Sequence, residues 1–344
     1  MTAADDFDKA IELIQKSTTV LVTTHNKPDG DACGCLAATC DTLAALGKRP
    51  MPLMLSPVPQ WYEFLFSEMP TVLGRDIALE DLPAGQGGQA DLIVIVDTNS
   101  RNQLAKLAKY LEHTAAPVLV IDHHATSDAL GRVELTDPSA SAAALILLDL
   151  LNRARWPVTP KIADALFVAL ATDTGWFRFS NTDARTLRAA AALIDAGAKP
   201  TELYAALYNT FSKPRFDLML AMLASLELHF GARLATMHIL QDDFRRTGAA
   251  LADTENLINE SHRISTVEIA ALFVELKDGR IRCSLRSTGP VDVSKIAEKF
   301  GGGGHKMAAG TFLPGPLQNA RQTLLAEIAP HMTAPDAPPQ SGAQ

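Results

Sequence analysis

Val20-Leu21-Val22-Thr23-Thr24-His25-Asn26-Lys27-Pro28-Asp29-Gly30-Asp31 turns from an apolar, β-branched run into a loop that carries one histidine and two aspartates within seven residues. The same change recurs along the chain. Leu92 to Val96 runs into Asp97, Val118 to Ile121 runs into Asp122-His123-His124, and an apolar helical stretch ends at Asp173. Leu92-Ile93-Val94-Ile95-Val96 is apolar without alternation, the pattern of a strand covered on both faces. Helical stretches at 32–46, closed by Gly47, and at 104–112 separate these runs. Strands alternating with helices predict a doubly wound, mostly parallel α/β sheet. Ligands of such sheets lie beyond the carboxyl ends of the strands, so these acids and histidines can converge on one crevice. Carboxylates gathered at the ends of buried segments need a cation to neutralise them, and we read the cluster as a metal site.

Taken alone, each residue has a plainer reading. A histidine or aspartate after a strand is often a hydrogen-bonded loop residue, and Asp29 or Asp31 could cap the helix that follows. The shared topological position of all of them is what points to chemistry. In an irregular loop His25 and Asp29 can turn to one ion while Asp31 turns to its neighbour, and Asp97 has two oxygens with which to bridge. Two ions about 4 Å apart can share one hydroxide and stabilise both the attacking and the leaving oxygen of a phosphoryl displacement. Oxygen and imidazole donors without thiolate favour manganese, with magnesium or another divalent metal as alternatives.

The 344 residues, 47% hydrophobic and 20% charged, describe a globular chain long enough for two domains. No stretch approaches the roughly 18 consecutive apolar residues of a membrane span. The acidic start Met1-Thr2-Ala3-Ala4-Asp5-Asp6 lacks the parts of a signal peptide, which predicts a cytoplasmic protein. Cys33, Cys35, Cys40 and Cys283 have neither zinc-knuckle nor redox spacing and read as small buried thiols. A net charge of −8 argues against a general binder of long duplex DNA. Locally the balance reverses. Residues 276–310 hold seven basic side chains (Lys277, Arg280, Arg282, Arg286, Lys295, Lys299, Lys306) and three acidic ones (Asp278, Asp292, Glu298), which suits a small anion or a solvated face.

Further along, 140–153, 160–171, 184–196, 200–209 and 214–229 read as helices. Residues 48–90, with four prolines between 50 and 59 and Gly85-Gln86-Gly87-Gly88, are less regular. The second half changes texture: strands at 234–240, 269–276 and 281–286, a tight Asp278-Gly279 hairpin turn, a helix near 293–299, then Gly301-Gly302-Gly303-Gly304-His305 and a helix over 316–329. We therefore expect one domain over 1–195, a helical linker over 196–232, a smaller α/β domain over 233–330 and a disordered tail over 331–344.

The motifs resemble the DHH phosphoesterase superfamily, named for the tripeptide seen here as Asp122-His123-His124. His25-x-x-Pro28-Asp29-x-Asp31-Ala32-x-Gly34, Val96-Asp97-Thr98 and Thr172-Asp173-Thr174-Gly175 match it in order. Gly301 to His305 with Ala308-Ala309-Gly310 resembles the signature of the associated C-terminal substrate domain. The resemblance implies an active site in the cleft between two domains. It implies that His25, Asp29 and Asp97 hold one ion, and that Asp31, Asp97, His123 and Asp173 hold the other. His124 would contact the scissile phosphate or protonate the leaving oxygen, and Asp122 would orient a histidine. Arg286, His305 and the backbone amides of Gly302, Gly303 and Gly304 would grip the far end of the substrate.

Size and architecture resemble the oligoribonuclease and pAp-phosphatase type. That implies a manganese-dependent phosphohydrolase acting on short single-stranded RNA, linear dinucleotides or 3′-phosphoadenosine 5′-phosphate (pAp), in a homodimer without membrane or long-duplex partners. Alternatives are another hydrolase of the superfamily (a linear or cyclic dinucleotide phosphodiesterase, a single-strand exonuclease or a pyrophosphatase) and a non-catalytic nucleotide-binding module. Two departures stand out. Cys35 occupies a position where the family often has serine, and is expected to start the helix rather than ligate metal. Ser139-Ala140-Ser141-Ala142 only loosely resembles the usual small-residue stretch, so its role stays open.

Overall fold

The computed structural model describes residues 4–82 and 90–332 and forms two compact units, Met1–Thr210 and Phe211–Gln344. The Gly85–Gly88 stretch and everything from Thr333 onward lie outside the described residues.

The first unit runs α1 (Ala4–Lys16), β1 (Thr19–Thr23), α2 (Gly30–Ala45), β2 (Arg49–Met54), β3 (Thr71–Val72), β4 (Leu92–Val96), α3 (Leu107–Leu111), β5 (Val118–Asp122), β6 (Val133–Thr136), α4 (Ala143–Ala154), α5 (Pro160–Asp173), α6 (Ala184–Asp195) and α7 (Pro200–Tyr208). Its six strands are all parallel, in the order β3-β2-β1-β4-β5-β6. Alternate residues of the apolar runs feed different cores. Val20, Val22, Val94, Val96, Leu119 and Ile121 join one cluster, while Leu21, Ile93, Ile95 and Val120 join another. Both faces of the sheet are therefore covered, which is why these runs show no polar alternation. Chain order reverses between β1 and β4, the place where an open α/β sheet leaves a crevice at its carboxyl edge.

Helix α2 crosses α5 so closely that a Cβ on Gly34 would overlap the Ala165 carbonyl and stand 2.8 Å from the Ala169 Cβ. That contact fixes α2, and with it Asp29 and Asp31 at its start. Gly34→Val adds three carbons against a backbone carbonyl that has nowhere to go. Overpacking of this kind costs about 3 kcal/mol, and it should register as a lower urea midpoint with an unchanged slope.

The second unit contains α8 (Lys213–Ala224), β7 (Glu227–His229), β8 (Leu234–Ile239), α9 (Gln241–Thr247), β9 (Ile269–Glu275), β10 (Arg280–Ser287), α10 (Val293–Glu298), β11 (Gly303–His305), β12 (Ala308–Pro314) and α11 (Leu317–Ile328). The sheet order is β11-β12-β10-β9-β8-β7, with β8 and β9 parallel and the remaining pairs antiparallel.

Several sequence expectations need correction. Glu227–His229, read as the end of a helix, is an edge strand. The expected Asp278-Gly279 hairpin turn is present between β9 and β10, with positive φ only at Gly279 (81°), as in a type I turn followed by a left-handed glycine. His331 and Met332, assigned to the tail, belong to a 3-10 turn in which Met332 is buried and its carbonyl accepts from Arg233. Cys35 lies inside α2 rather than at its start. Among the described residues, no helix is long and apolar enough to cross a membrane.

Candidate metal centre

Four segment ends of the first unit build the site. After β1, the His25 ring is only 14% exposed, and Asp29 is the N-cap of α2, accepting from the Ala32 amide at 3.1 Å. The capping reading and the ligand reading of Asp29 are thus compatible: Oδ1, which accepts from Ala32, also lies 3.9 Å from His25 Nε2, and a carboxylate has further lone pairs to offer. Asp31 is 1% exposed and caps a different helix: its two oxygens accept from the amides of Ala143 and Ala144 at the start of α4, at 2.6 and 3.2 Å. After β4, Asp97 is 2% exposed in a left-handed conformation (φ 60°), which aspartate tolerates better than most residues. At the end of β5, the buried Asp122 accepts from His124, both from Nδ1 at 2.8 Å and from its backbone amide at 3.2 Å. The expectation that Asp122 orients a histidine therefore has a geometric counterpart in His124. Nδ1 of the other histidine, His123, lies 3.2 Å from the Ala140 carbonyl. Asp173 closes the set as the last residue of α5.

Asp97 stands at the centre with its two oxygens facing opposite ways. Oδ2 lies 3.5 Å from His25 Nε2, and Oδ1 lies 3.5 Å from His123 Nε2. His25 Nε2 is also 3.9 Å from Asp29, and His123 Nε2 is 3.8 Å from Asp31 and 3.5 Å from Asp173. Among the described residues, donor atoms fall into three sets, each within 4.8 Å: His25-Asp29-Asp97, Asp31-His123-Asp173 and Asp97-His123-His124. Most of these separations exceed a hydrogen bond and leave room for an ion between the donors.

The electrostatics fit a cation. Asp97 Oδ1 is buried without a hydrogen-bond partner. Burial, with Asp97, Asp173 and Asp29 nearby, pushes the Asp31 carboxyl well above its ordinary range. Burial also raises Asp97, although His25 pulls the other way, and it lifts Asp173 to about 6 against the pull of His123. Burial opposes charge on His25, but the facing carboxylates of Asp29 and Asp97 outweigh it and hold the imidazole at about 10. Three carboxyls that resist ionisation in one crevice are what a multivalent cation would relieve. The Cys35 thiol donates to Asp31 at 3.2 Å, and burial keeps it protonated, so it serves the carboxylate rather than a metal.

A cavity of about 260 Å³ opens onto His25, Asp29, Asp97 and His124. Its wall is completed by Thr98, Asn99, Ser100, Gln103 and Thr126, none of which the sequence marks as functional beyond the place of Thr98 in its motif. The buried Asn99 donates to Ser127 and Glu134, so it stiffens the loop after β4. A polar run directly after an apolar strand was the available signal.

Residues 19–170 match the DHH family, N-terminal domain, and residues 239–330 match the DHHA1 domain. The bifunctional oligoribonuclease and PAP phosphatase NrnA of Thermus thermophilus is 31% identical over 316 residues, covering 91% of this chain and 90% of that protein. The chain belongs to the DHH family. The protein of the same description from Bacillus subtilis is 27% identical, covering 87% of this chain and 91% of its own length. A crystal structure of an exopolyphosphatase-related protein from Bacteroides fragilis superposes with a TM-score of 0.75 at 21% identity, covering 96% of this chain and 98% of that one, and shows a shared fold. As a DHH-family phosphoesterase the chain is a hydrolase of phosphate ester bonds.

The remaining sequence-predicted residues lie in the second unit, within the DHHA1 match. Arg286 projects from β10 beside Arg282 at a cavity of about 250 Å³. His305 ends β11, and the second half of the glycine run is strand, with Gly303 opposite Gly310 and Gly304 opposite Ala309. A Cβ on Gly302 or Gly304 would collide with the backbone of β12. Those two glycines therefore let the hairpin close, while the Cβ positions of Gly301 and Gly303 face open space.

Proposed function

We propose that the chain is a manganese-dependent phosphohydrolase of linear dinucleotides, very short RNA and pAp, with two ions in the crevice of the first unit. The observation that carries this reading is Asp97, whose separate oxygens face His25 and His123. The NrnA relatives, named as bifunctional oligoribonucleases and PAP phosphatases, support the substrate class. His25, Asp29 and Asp97 would hold one ion, and Asp31, Asp97, His123 and Asp173 the other. Their donors are imidazole and carboxylate, a set that suits manganese. When bound, the ions supply Lewis acidity to the phosphoryl oxygens and acidify water.

The chain's own residues do the rest. Asp122 engages Nδ1 of His124, which leaves Nε2 as the atom that can give a proton to the leaving oxygen. The hydrogen bond to Asp122 outweighs partial burial and raises the pKa of that imidazole, so more of it carries the proton it must give. Arg286, His305 and the open backbone around Gly303 would take the part of the nucleotide away from the scissile bond.

His124→Ala should lower kcat by on the order of 10²–10³-fold, as for loss of a general acid, while manganese uptake measured by equilibrium dialysis stays at the wild-type level. The reading itself is tested by turnover of pAp, a linear dinucleotide, a five-nucleotide RNA and pyrophosphate, side by side with manganese and magnesium. Hydrolysis of pyrophosphate without any of the other three would overturn it.

A further inference from the structure

Asn181 lies on the turn between α5 and α6, outside the set of donors above. Its side-chain amide donates two hydrogen bonds of 3.2 Å, one to the carbonyl of Asp173 at the end of α5 and one to the carbonyl of Ser141 just before α4. Both N–H groups of the amide are thereby used, on the two segment ends that meet beneath the site.

The segment that Asn181 holds is the one that orients the other two donors of the same set. The Ala140 carbonyl engages Nδ1 of His123, which turns Nε2 toward Asp31, Asp97 and Asp173. The amides of Ala143 and Ala144 hold the two oxygens of Asp31. Helix α4 has no side-chain cap of its own, since its N-cap is Ala142, so Asp31 also satisfies the start of that helix. A second tie is the 2.8 Å contact between the hydroxyls of Ser141 and Thr186, and Thr186 belongs to the capping box of α6. Small side chains at 139–142 let this backbone come close enough to serve His123 and Asp31.

We propose that Asn181 is a positioning residue that locks residues 140–144 to the end of α5, so that Asp31, His123 and Asp173 are presented to one ion as a unit. This rests on the two-ion reading above. The supports of the other position do not run through Asn181: Asp29 accepts from Ala32 at its own helix start, His25 Nδ1 lies against the Asn26 carbonyl, and the Asn26 and Lys27 amides donate to the Gln103 carbonyl and the Ser56 hydroxyl. Loss of the brace should therefore weaken one position and spare the other. A surface asparagine that merely closed a turn would affect stability without touching metal affinity.

The test titrates the full-length wild type, Asn181→Ala and the near-isosteric Asn181→Leu with manganese, reading bound ions by electron paramagnetic resonance. Two neighbouring ions give an exchange-coupled spectrum, and a single ion gives six lines. In both variants the first ion should bind within about twofold of wild type, and the second should weaken about 10–100-fold, the usual cost of losing support behind a ligand. The coupled spectrum would then appear only at correspondingly higher manganese, while the melting temperature in EDTA stays at the wild-type value. Two ions held by both variants with wild-type affinity would overturn the brace. So would an affinity loss accompanied by a comparable loss of metal-free stability. Wild type that never shows a coupled pair would instead sink the two-ion reading on which the brace depends.

Discussion

Replacing Asp97 by alanine is expected to leave a folded protein that hydrolyses phosphate esters about 10⁴-fold more slowly, a loss of about 5.5 kcal/mol in transition-state stabilisation. Among the described residues no other donor faces both His25 and His123, with one oxygen 3.5 Å from the first and the other 3.5 Å from the second. Its removal should therefore cost both ions, whereas loss of the exposed Asp29 should cost one. The metal-free variant should also be more stable than metal-free wild type at neutral pH, because a buried carboxylate with an unpartnered oxygen has been taken away. Asp97→Asn is the control for backbone strain, since asparagine accepts the left-handed φ of 60° at this position. Turnover, bound manganese and the EDTA melting temperature, measured together, check the prediction. Wild-type turnover in the alanine variant would rule out the bridging role.

The legible parts of this chain are those where one physical cause dominates. Strands β1, β4 and β5 are apolar on both sides because both faces of the sheet are covered, and their ends are marked by the first polar residues that reach the crevice. Strand β2 is hidden by Pro50 and Pro52. It tolerates them because the Arg49 amide bonds to Thr18 on the β1 side, while β3 pairs only with Leu53 and Met54. The proline nitrogens therefore point to an edge, where no donor is needed. Strands β6, β7 and β11 have three or four residues each, too few for a period to emerge. In the site, the aspartates and histidines could be found from their place after apolar runs. What holds them could not. Asp31 is gripped by amides 112 and 113 residues away, and His123 by a carbonyl, and backbone groups leave no mark in the residue types. Cys35 shows the same limit: its contact with Asp31 depends on one helical turn, and the substitution of thiol for hydroxyl does not announce which carboxylate it serves.

The second large effect is on stability, and its sign follows from the same carboxylates. In the folded, metal-free chain, burial raises Asp31 and Asp97 and lifts Asp173 to about 6 from 3.8. Between those values the folded chain holds protons that the unfolded chain has released, so stability is greatest in mild acid and is lost as pH rises through the folded values. His25, held at about 10 against 6.5, continues the decline above neutrality in the same direction. Asp29 is lowered, because the His25 and Ala32 interactions outweigh desolvation, and so acts only below about pH 4. Asp173 alone accounts for about 3 kcal/mol, since each tenfold change in proton affinity is worth about 1.4 kcal/mol. In a domain of roughly 200 residues that corresponds to about 8 °C in melting temperature. Manganese neutralises these carboxyls, so the decline should vanish when it is present, and the metal-induced rise in melting temperature should grow from pH 5 to pH 8. Trp61, Trp156 and Trp176 all lie in the first unit, so tryptophan fluorescence follows that unit alone. Melting in EDTA and in manganese across this pH range is the measurement. A metal-free midpoint that rises with pH, or a manganese effect equal at pH 5 and pH 8, would mean that these carboxyls are not the source of the site's frustration. The cation would then have to be sought elsewhere.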